Sequence, residues 1–216
     1  MKASAWQRTF RDVEWVLNCS VRALNGRAGW GVLALGWPPD SNLASERIAQ
    51  KAEMKIVASF QPARAQPRDE GIPIGIRTAL PSDVPAIAAH VQRHPAATPR
   101  GLYTEGWTVY PLNRSRLQQL TASGSIIVHA PSREIEGVAI ATCKHPFTHV
   151  RTGLITGNAR TVERLGTALR SLAARSHVTE IRTTVAIDAD SEVGLRNAGF
   201  ERPHASVMNV FEKGLV

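Results

Sequence analysis

The chain has 216 residues, 43% of them hydrophobic and 20% charged, so it is long enough to bury a sizeable core and is not globally disordered. Its formal net charge is +8, with 21 Arg against five Lys, which suits either RNA or ribosome binding or an anionic cofactor. No block of five or six like charges occurs, which makes nucleic acid the less favoured partner.

The first predicted element is a helix that ends near Gly26. Its apolar residues recur at three- and four-residue spacing, namely Trp6, Phe10, Val13, Leu17, Val21 and Leu24. The apolar run 28–37 that follows is far shorter than the ~20 residues that span a bilayer, and it lies too far along the chain for a signal peptide. We expect residues 1–60 to be an N-terminal extension, either a docking appendage or sequence upstream of a start at Met54.

Three Pro and two Gly within residues 61–75 predict a linker over 61–73, followed by a domain over 74–216. The two cysteines, Cys19 and Cys143, lie far apart and form no CxxC pair. They indicate free thiols in a reducing, cytoplasmic setting, with Cys143 in the core.

From residue 74 the pattern is regular. The sequence predicts strands over 74–80, 125–130, 137–143, 152–156, 180–187 and 204–212, helices from 84, over 113–123, 161–176 and 190–198, and an irregular loop over 94–111. Gly199 stands at the C-cap position of the last helix. The order β, α, α, β, β, β, α, β, α, β predicts a mixed α/β fold.

Three local patterns accompany this order. Ile76 and Arg77 precede Pro81-Ser82-Asp83-Val84, a polar turn into a helix, and residues 191–200 (SEVGLRNAGF) precede Glu201. Residues 161–166, which end in Gly166, follow a predicted strand and a short loop and begin the next predicted helix. On these patterns, residues 74–216 resemble the GCN5-related N-acetyltransferase (GNAT) family, whose loop motif is Gln or Arg, two residues, Gly, one residue, and Gly or Ala.

The resemblance implies an N-acetyltransferase with acetyl-CoA as co-substrate and no metal. A pyrophosphate is held by free amides at a helix N-terminus, and the family's pantetheine arm lies against backbone groups of a splayed strand. The cofactor-binding residues that the resemblance implies are Leu154, Ile155, Thr156, Thr161, Arg164, Leu165, Gly166, Thr167 and Asp188.

The sequence departs from the family pattern at three of its positions. Thr161 replaces Gln or Arg, and Arg164 replaces the middle Gly, where it either contacts a phosphate or fills the cofactor's space. Leu195 stands where the family often has a Tyr as general acid. Asp188 either contacts the cofactor arm or caps the following helix.

Three residues are candidate bases for the attacking amine. His145 and His149 precede the splayed strand, and histidine has a suitable ordinary pKa, although such loop histidines are often merely exposed. Glu105, with Tyr103 and Trp107, either meets the acceptor amine or belongs to an amphipathic lid. The seven His show no metal-ligand spacing.

The sequence therefore predicts a cytoplasmic N-acetyltransferase acting on a primary amine of a small molecule, a protein N-terminus or a lysine. The alternatives are a catalytically degenerate GNAT-fold binding or regulatory module, favoured by Arg164 and Leu195, and a basic RNA- or ribosome-associated protein. We expect no membrane partner, and an edge strand suits a homodimer.

Overall fold

The computed structural model describes residues 22–23, 30–36, 51, 55–106, 108–143, 149–186, 188–202 and 207–214; residues 22–23, 30–36, 143 and 211–214 are described by their backbone alone. Eleven strands are formed within these ranges. They are β1 (Arg22–Ala23), β2 (Trp30–Gly36), β3 (Lys55–Ala65), β4 (Ile76–Thr78), β5 (Leu102–Glu105), β6 (Thr108–Pro111), β7 (Ile126–His129), β8 (Gly137–Cys143), β9 (His149–Thr156), β10 (Glu180–Ala186) and β11 (Met208–Gly214).

Nine of these strands form one sheet in the order β1-β2-β11-β3-β10-β9-β8-β7-β4, and β5 and β6 form a separate hairpin. Strands β9 and β10 run parallel, while the other neighbours in the sheet are antiparallel. A parallel pair needs a crossover connection, and the helix between β9 and β10 supplies it.

Four α-helices of the described chain cover the sheet: α1 (Val84–Arg93), α2 (Arg114–Ala122), α3 (Ala159–Arg175) and α4 (Ala189–Asn197). Helices α1 and α2 share a core with β7, β8 and Tyr103 of the hairpin, whereas α3 and α4 pack on the opposite face. The apolar spacing of α1 buries Val84, Ile87 and Val91, and Asn113 caps α2 through its side chain.

The element order predicted from residue 74 onward is confirmed, with differences of a few residues at the ends of elements. Gly199 has φ +79° directly after α4, as its predicted capping position requires. The described residues thus form the predicted mixed α/β fold.

The loop predicted over residues 94–111 is wrong in its second half, because β5 and β6 pair there as a hairpin. Gly106 makes the turn with φ +68°, and Tyr103, Thr104 and Tyr110 are good strand formers. All four residues of β5 are buried, which an irregular surface loop would not allow.

The linker predicted over residues 61–73 is wrong for residues 61–65, which belong to β3 between β10 and β11. Among the described residues none pairs with Pro62 on the side of β3 that faces β11, so its missing N–H leaves no described ladder hydrogen bond unmade. The pairing of β11 with β3 stops at Phe60, and Arg64 exchanges both backbone hydrogen bonds with Glu201. The division into domains at residue 74 stays a prediction.

The helix predicted to end near Gly26 is wrong at its end, since Arg22 and Ala23 are in β1, paired with Val32 and Gly31. Strand pairing overrides the helical spacing here. The rest of that helix lies outside the described residues. No helix in the described part of the chain has the length and hydropathy to cross a membrane.

Candidate functional site

Strands β9 and β10 separate towards their carboxyl ends. Their pairing runs from His149 with Glu180 to Thr152 with Thr183 and stops there. Residues 154–156 still pair with β8, and residues 184–186 still pair with β3, so only the edges that face each other lack partners. The register of β9 against β8 shifts at Gly153, which marks a bulge at the point where the gap begins.

The hairpin closes the narrow end of this gap. Thr104 is fully buried, and its hydroxyl donates a hydrogen bond to the carbonyl oxygen of Thr184. A Cβ on Gly153 would overlap the Thr104 carbonyl oxygen, so the glycine lets β5 lie directly on the sheet. Thr104 therefore lies between the two strands at their point of divergence.

Two hydroxyls of β9 are buried without a hydrogen-bond partner among the described residues. They belong to Thr152, the last residue paired with β10, and Thr156, at the wide end of the gap, which are 1% and 2% exposed. An unsatisfied buried hydroxyl costs free energy unless a ligand or water binds it. Of the two, Thr156 lies at the wide end, where an amide of a pantetheine arm could reach it, whereas Thr152 lies beyond the point where the strands pair again.

The gap leads to the N-terminus of α3. Asn158 caps this helix, accepting from the Thr161 amide at 2.9 Å, and leaves the amides of Ala159 and Arg160 without intrahelical acceptors. Arg160 is exposed in the first turn. Sequence reasoning missed Asn158 and Arg160, although an Asn directly before a helical pattern is an N-cap signal.

The predicted loop motif of residues 161–166 lies inside α3, where two of its residues pack closely. The Thr161 side chain fills space above Gly137 and Gly157, and it is 3% exposed. A Cβ on Gly166 would lie 2.7 Å from the Cβ of Ala198, so this glycine lets α3 and the end of α4 approach each other. Thr161 and Gly166 therefore serve packing, and the amides of α3 that lack intrahelical acceptors precede the motif.

Leu154, Ile155 and Leu165 point into the two cores, each at most 1% exposed. Of Leu154 and Ile155, only the backbone is left to meet a ligand in the gap. Thr167 is half-buried, two turns beyond the start of α3. The cofactor contacts assigned to these four residues stay predictions.

The Arg164 guanidinium lies 3.1 Å from His129 of β7, on the side of α3 away from α4. His129 Nδ1 lies 3.3 Å from the Glu136 carboxylate. Burial is the main cause that lowers the pKa of His129, and the charge of Arg164 adds to it. Arg164 therefore does not fill the space between α3 and α4.

Asp188 caps α4, with its carboxylate accepting from the amide and hydroxyl of Ser191 at 2.7 and 2.8 Å. It also lines a cavity of about 400 Å³ between α4, β3 and β10, together with Leu195 and Phe200. A Cβ on Gly194, on another side of α4, would lie 2.5 Å from the carbonyl oxygen of Ala159, so this glycine lets α4 approach the start of α3. The described lining of this cavity includes Val185 and Ala186 of β10 but no residue of β9 or α3.

Glu105 belongs to a buried cluster on the hairpin. Its carboxylate accepts from the Tyr103 hydroxyl at 2.5 Å and forms an ion pair with Arg116 of α2. Burial, then the hydrogen bond to Glu105, raises the pKa of Tyr103. Because neighbouring strand residues face opposite ways, Glu105 points away from the gap that Thr104 enters.

His149 starts β9, about 13 Å along the strand from Gly153 at 3.3 Å per residue. Its Nε2 accepts from the Arg151 guanidinium at 3.0 Å. Burial, then the charges of Arg151 and Arg182, lowers the pKa of His149, against the raising effect of Glu180. His145 and Trp107 lie outside the described residues.

Three arginines lie in register across neighbouring strands: Arg151 opposite Arg182, and Arg182 opposite Arg64. Arg182 forms an ion pair with Glu180 at 2.5 Å, and Glu201 lies opposite Arg64. Glu180 pairs with one of the three arginines, and Glu201 adjoins the end of the row, so its positive charge is partly neutralised. The described residues include no group of three or more His, Cys, Asp or Glu that could hold a metal ion.

The sequence matches no protein-family model, and no similar sequence is found among curated proteins. Solved structures are similar. The GCN5-related N-acetyltransferase from Sphaerobacter thermophilus aligns with a TM-score of 0.53 at 16% identity, covering 86% of this chain and 60% of that protein. A GNAT-family acetyltransferase from Colwellia psychrerythraea gives 0.52 at 12% identity, with 84% and 63% covered. A conserved protein of unknown function from Staphylococcus epidermidis gives 0.53 at 8% identity, with 86% and 73% covered.

At these identities the likeness shows the fold. The chain has the GNAT fold, as the sequence predicted, and spans about 60% of the length of the first two proteins.

Proposed function

We propose that this chain is an acyl-CoA-dependent N-acyltransferase that transfers an acetyl group to a primary amine. The observation that carries the proposal is the gap between β9 and β10, whose unpaired edges lead from the Gly153 bulge to the start of α3. An extended amide-bearing arm satisfies such edges, and the amides of Ala159 and Arg160 suit a pyrophosphate. The orphaned hydroxyl of Thr156 at the wide end adds one further partner.

Direct attack by an amine on the thioester needs donors for the oxyanion and an acceptor for the ammonium proton. In this proposal the thioester carbonyl lies beside the backbone at the Gly153 bulge. Glu105 is engaged by Arg116, and His149 by Arg151, so neither meets the gap directly. In this proposal positioning of the amine supplies most of the rate, with solvent as the proton acceptor.

The second candidate is a GNAT-fold binding or regulatory module without turnover. Leu195, where a general acid often stands in the family, is 6% exposed in the core. Such a module binds acetyl-CoA in the same gap but consumes none of it, whichever amine is offered.

Thermal unfolding during titration with acetyl-CoA tests the proposal. We expect a saturable rise in stability, about 2.7 kcal/mol at 100 times the dissociation constant. Arg160→Gln removes a cation beside the phosphate donors and should weaken binding about tenfold, the size of a charge-assisted hydrogen bond. Arg164→Gln removes the same charge from the same helix, but from the side that contacts His129, and should leave the affinity unchanged.

If millimolar acetyl-CoA does not raise the thermal stability, the proposal that the chain is an acyltransferase is refuted. An equal loss of affinity in both variants would show that the phosphates do not lie at the first turn of α3.

A further inference from the structure

Thr104 is placed where a group that enters the gap from its wide end must stop. Pairing between β9 and β10 resumes at Thr152 and Thr183, directly beyond Gly153. Thr104 covers this point from the α1–α2 side, with 0% exposure. Its hydroxyl donates a hydrogen bond to the carbonyl oxygen of Thr184 in β10. Its own carbonyl oxygen packs closely against Gly153 of β9.

Strand β5 is fixed in this position from its other side. The Tyr103 hydroxyl donates to Glu105, and the Arg116 guanidinium donates to both residues, with its Nε 2.7 Å from the Tyr103 oxygen. Glu105 is 8% exposed, so breaking the ion pair leaves a buried charge uncompensated. Tyr103 also lies in the core formed by α1, α2 and β8. The residues on both sides of Thr104 are therefore held in place. Thr104 cannot move aside easily, and it blocks the narrow end of the gap.

We propose that Thr104 ends the acyl subsite, so that the chain accepts a two-carbon acyl group and rejects longer ones. This inference rests on the proposed function, because it assumes that the thioester reaches the Gly153 bulge. A longer chain would have to displace Thr104 from Gly153 and Thr184, and close-packed interiors resist such overpacking. The structure thus assigns acetyl-CoA as the donor in preference to butyryl- or hexanoyl-CoA.

Calorimetric titration of the full chain with acetyl-, butyryl- and hexanoyl-CoA tests this assignment. The unmodified protein should bind butyryl-CoA at least about tenfold more weakly than acetyl-CoA. Thr104→Ala should bring the two affinities together by improving the longer ligand. Thr104→Val keeps the volume without the hydroxyl and should keep the discrimination, and Thr104→Ser, which keeps the hydroxyl, should give an intermediate ratio.

Thr121→Ala is the matched control. Thr121 is also a buried threonine whose hydroxyl donates to a backbone carbonyl, that of Leu117, but it lies in α2. This variant should discriminate as the unmodified protein does.

Equal affinity of the unmodified protein for acetyl- and butyryl-CoA overturns the inference and leaves the proposed function standing. If Thr104→Ala and Thr104→Val lose the preference for acetyl-CoA over butyryl-CoA to the same extent, the inference is also overturned. The hydroxyl of Thr104, and not its volume, would then set the preference. If no acyl-CoA binds to any of the proteins, the proposed function fails, and the acyl subsite fails with it.

Discussion

At the scale of single residues, His90 in α1 is a buried histidine held neutral by its surroundings. It is 2% exposed, and its ring stacks on His94 with the centroids 4.3 Å apart. Burial is the largest cause that lowers the pKa of His90, followed by the charges of His94 and Arg93, and the value falls from 6.5 to about 4. The folded chain therefore takes up this proton only at a much lower pH than the unfolded chain does.

This shift predicts how stability depends on pH. Between pH 6.5 and about 4 the unfolded chain binds more protons than the folded one, so the free energy of unfolding should fall with falling pH, by about 3 kcal/mol in total from this residue. His90→Phe should remove that part of the slope in urea unfolding measured at pH 7, 6 and 5. His177→Asn, at an exposed position with φ +54°, should leave the slope unchanged. Identical slopes in His90→Phe and the unmodified protein would show that His90 protonates freely when folded.

Residues that act through contacts distant in sequence were beyond prediction. The sequence indicates neither that Gly153 bulges nor that Thr104, 49 positions earlier, lies on it, because both depend on strand register. Asn158 was predictable, since its role needs only the helix that follows it.

At the scale of elements, β3 completes the middle of the sheet. It pairs with β10 on one side and β11 on the other, and it buries Ala58, Phe60, Ala63 and Ala65. The strand lies early in the chain, yet its partners come more than a hundred residues later. Its loss would leave two long edges unpaired in the interior of the sheet.

Two shortened chains test this role. A chain that starts at Met54 keeps all of β3 and should unfold cooperatively, because the described strands that it lacks, β1 and β2, lie at the edge of the sheet. A chain that starts at Gln66 lacks β3 and should not fold, because Phe60 alone contributes about 3–5 kcal/mol of a total near 5–15. Circular dichroism with thermal unfolding distinguishes them. Cooperative unfolding of the Gln66 chain would mean that β10 and β11 need no strand between them.

The elements that sequence reasoning found are those with a periodic apolar face or a cap. Helix α1 buries Val84, Ile87 and Val91, which the spacing identifies without knowledge of the fold. Strand β3 was missed because Pro62 and the turn residues after it are typical of a linker. Its pairing is set by β10 and β11 and leaves no local signal.

At the scale of the whole molecule, the two faces of the sheet have separate roles in this account. Helices α3 and α4 cover one face and present the start of α3 to a phosphate, while α1, α2 and the hairpin cover the other and close the narrow end of the gap. The resemblance of residues 74–216 predicted the fold, and it puts the proposed cofactor site at β9 and the start of α3. It did not predict which side chains face the gap, because these depend on the packing of the hairpin.

Backbone amide hydrogen exchange with and without acetyl-CoA tests the central claim most directly, since it reports where the cofactor lies on the full chain. The account predicts slower exchange at residues 153–161 of β9 and the start of α3, and at residues 184–186 of β10. Bound acetyl-CoA that leaves residues 153–161 unchanged would contradict it, even if exchange slows at Val185 and Ala186, because these two residues also line the cavity beside α4.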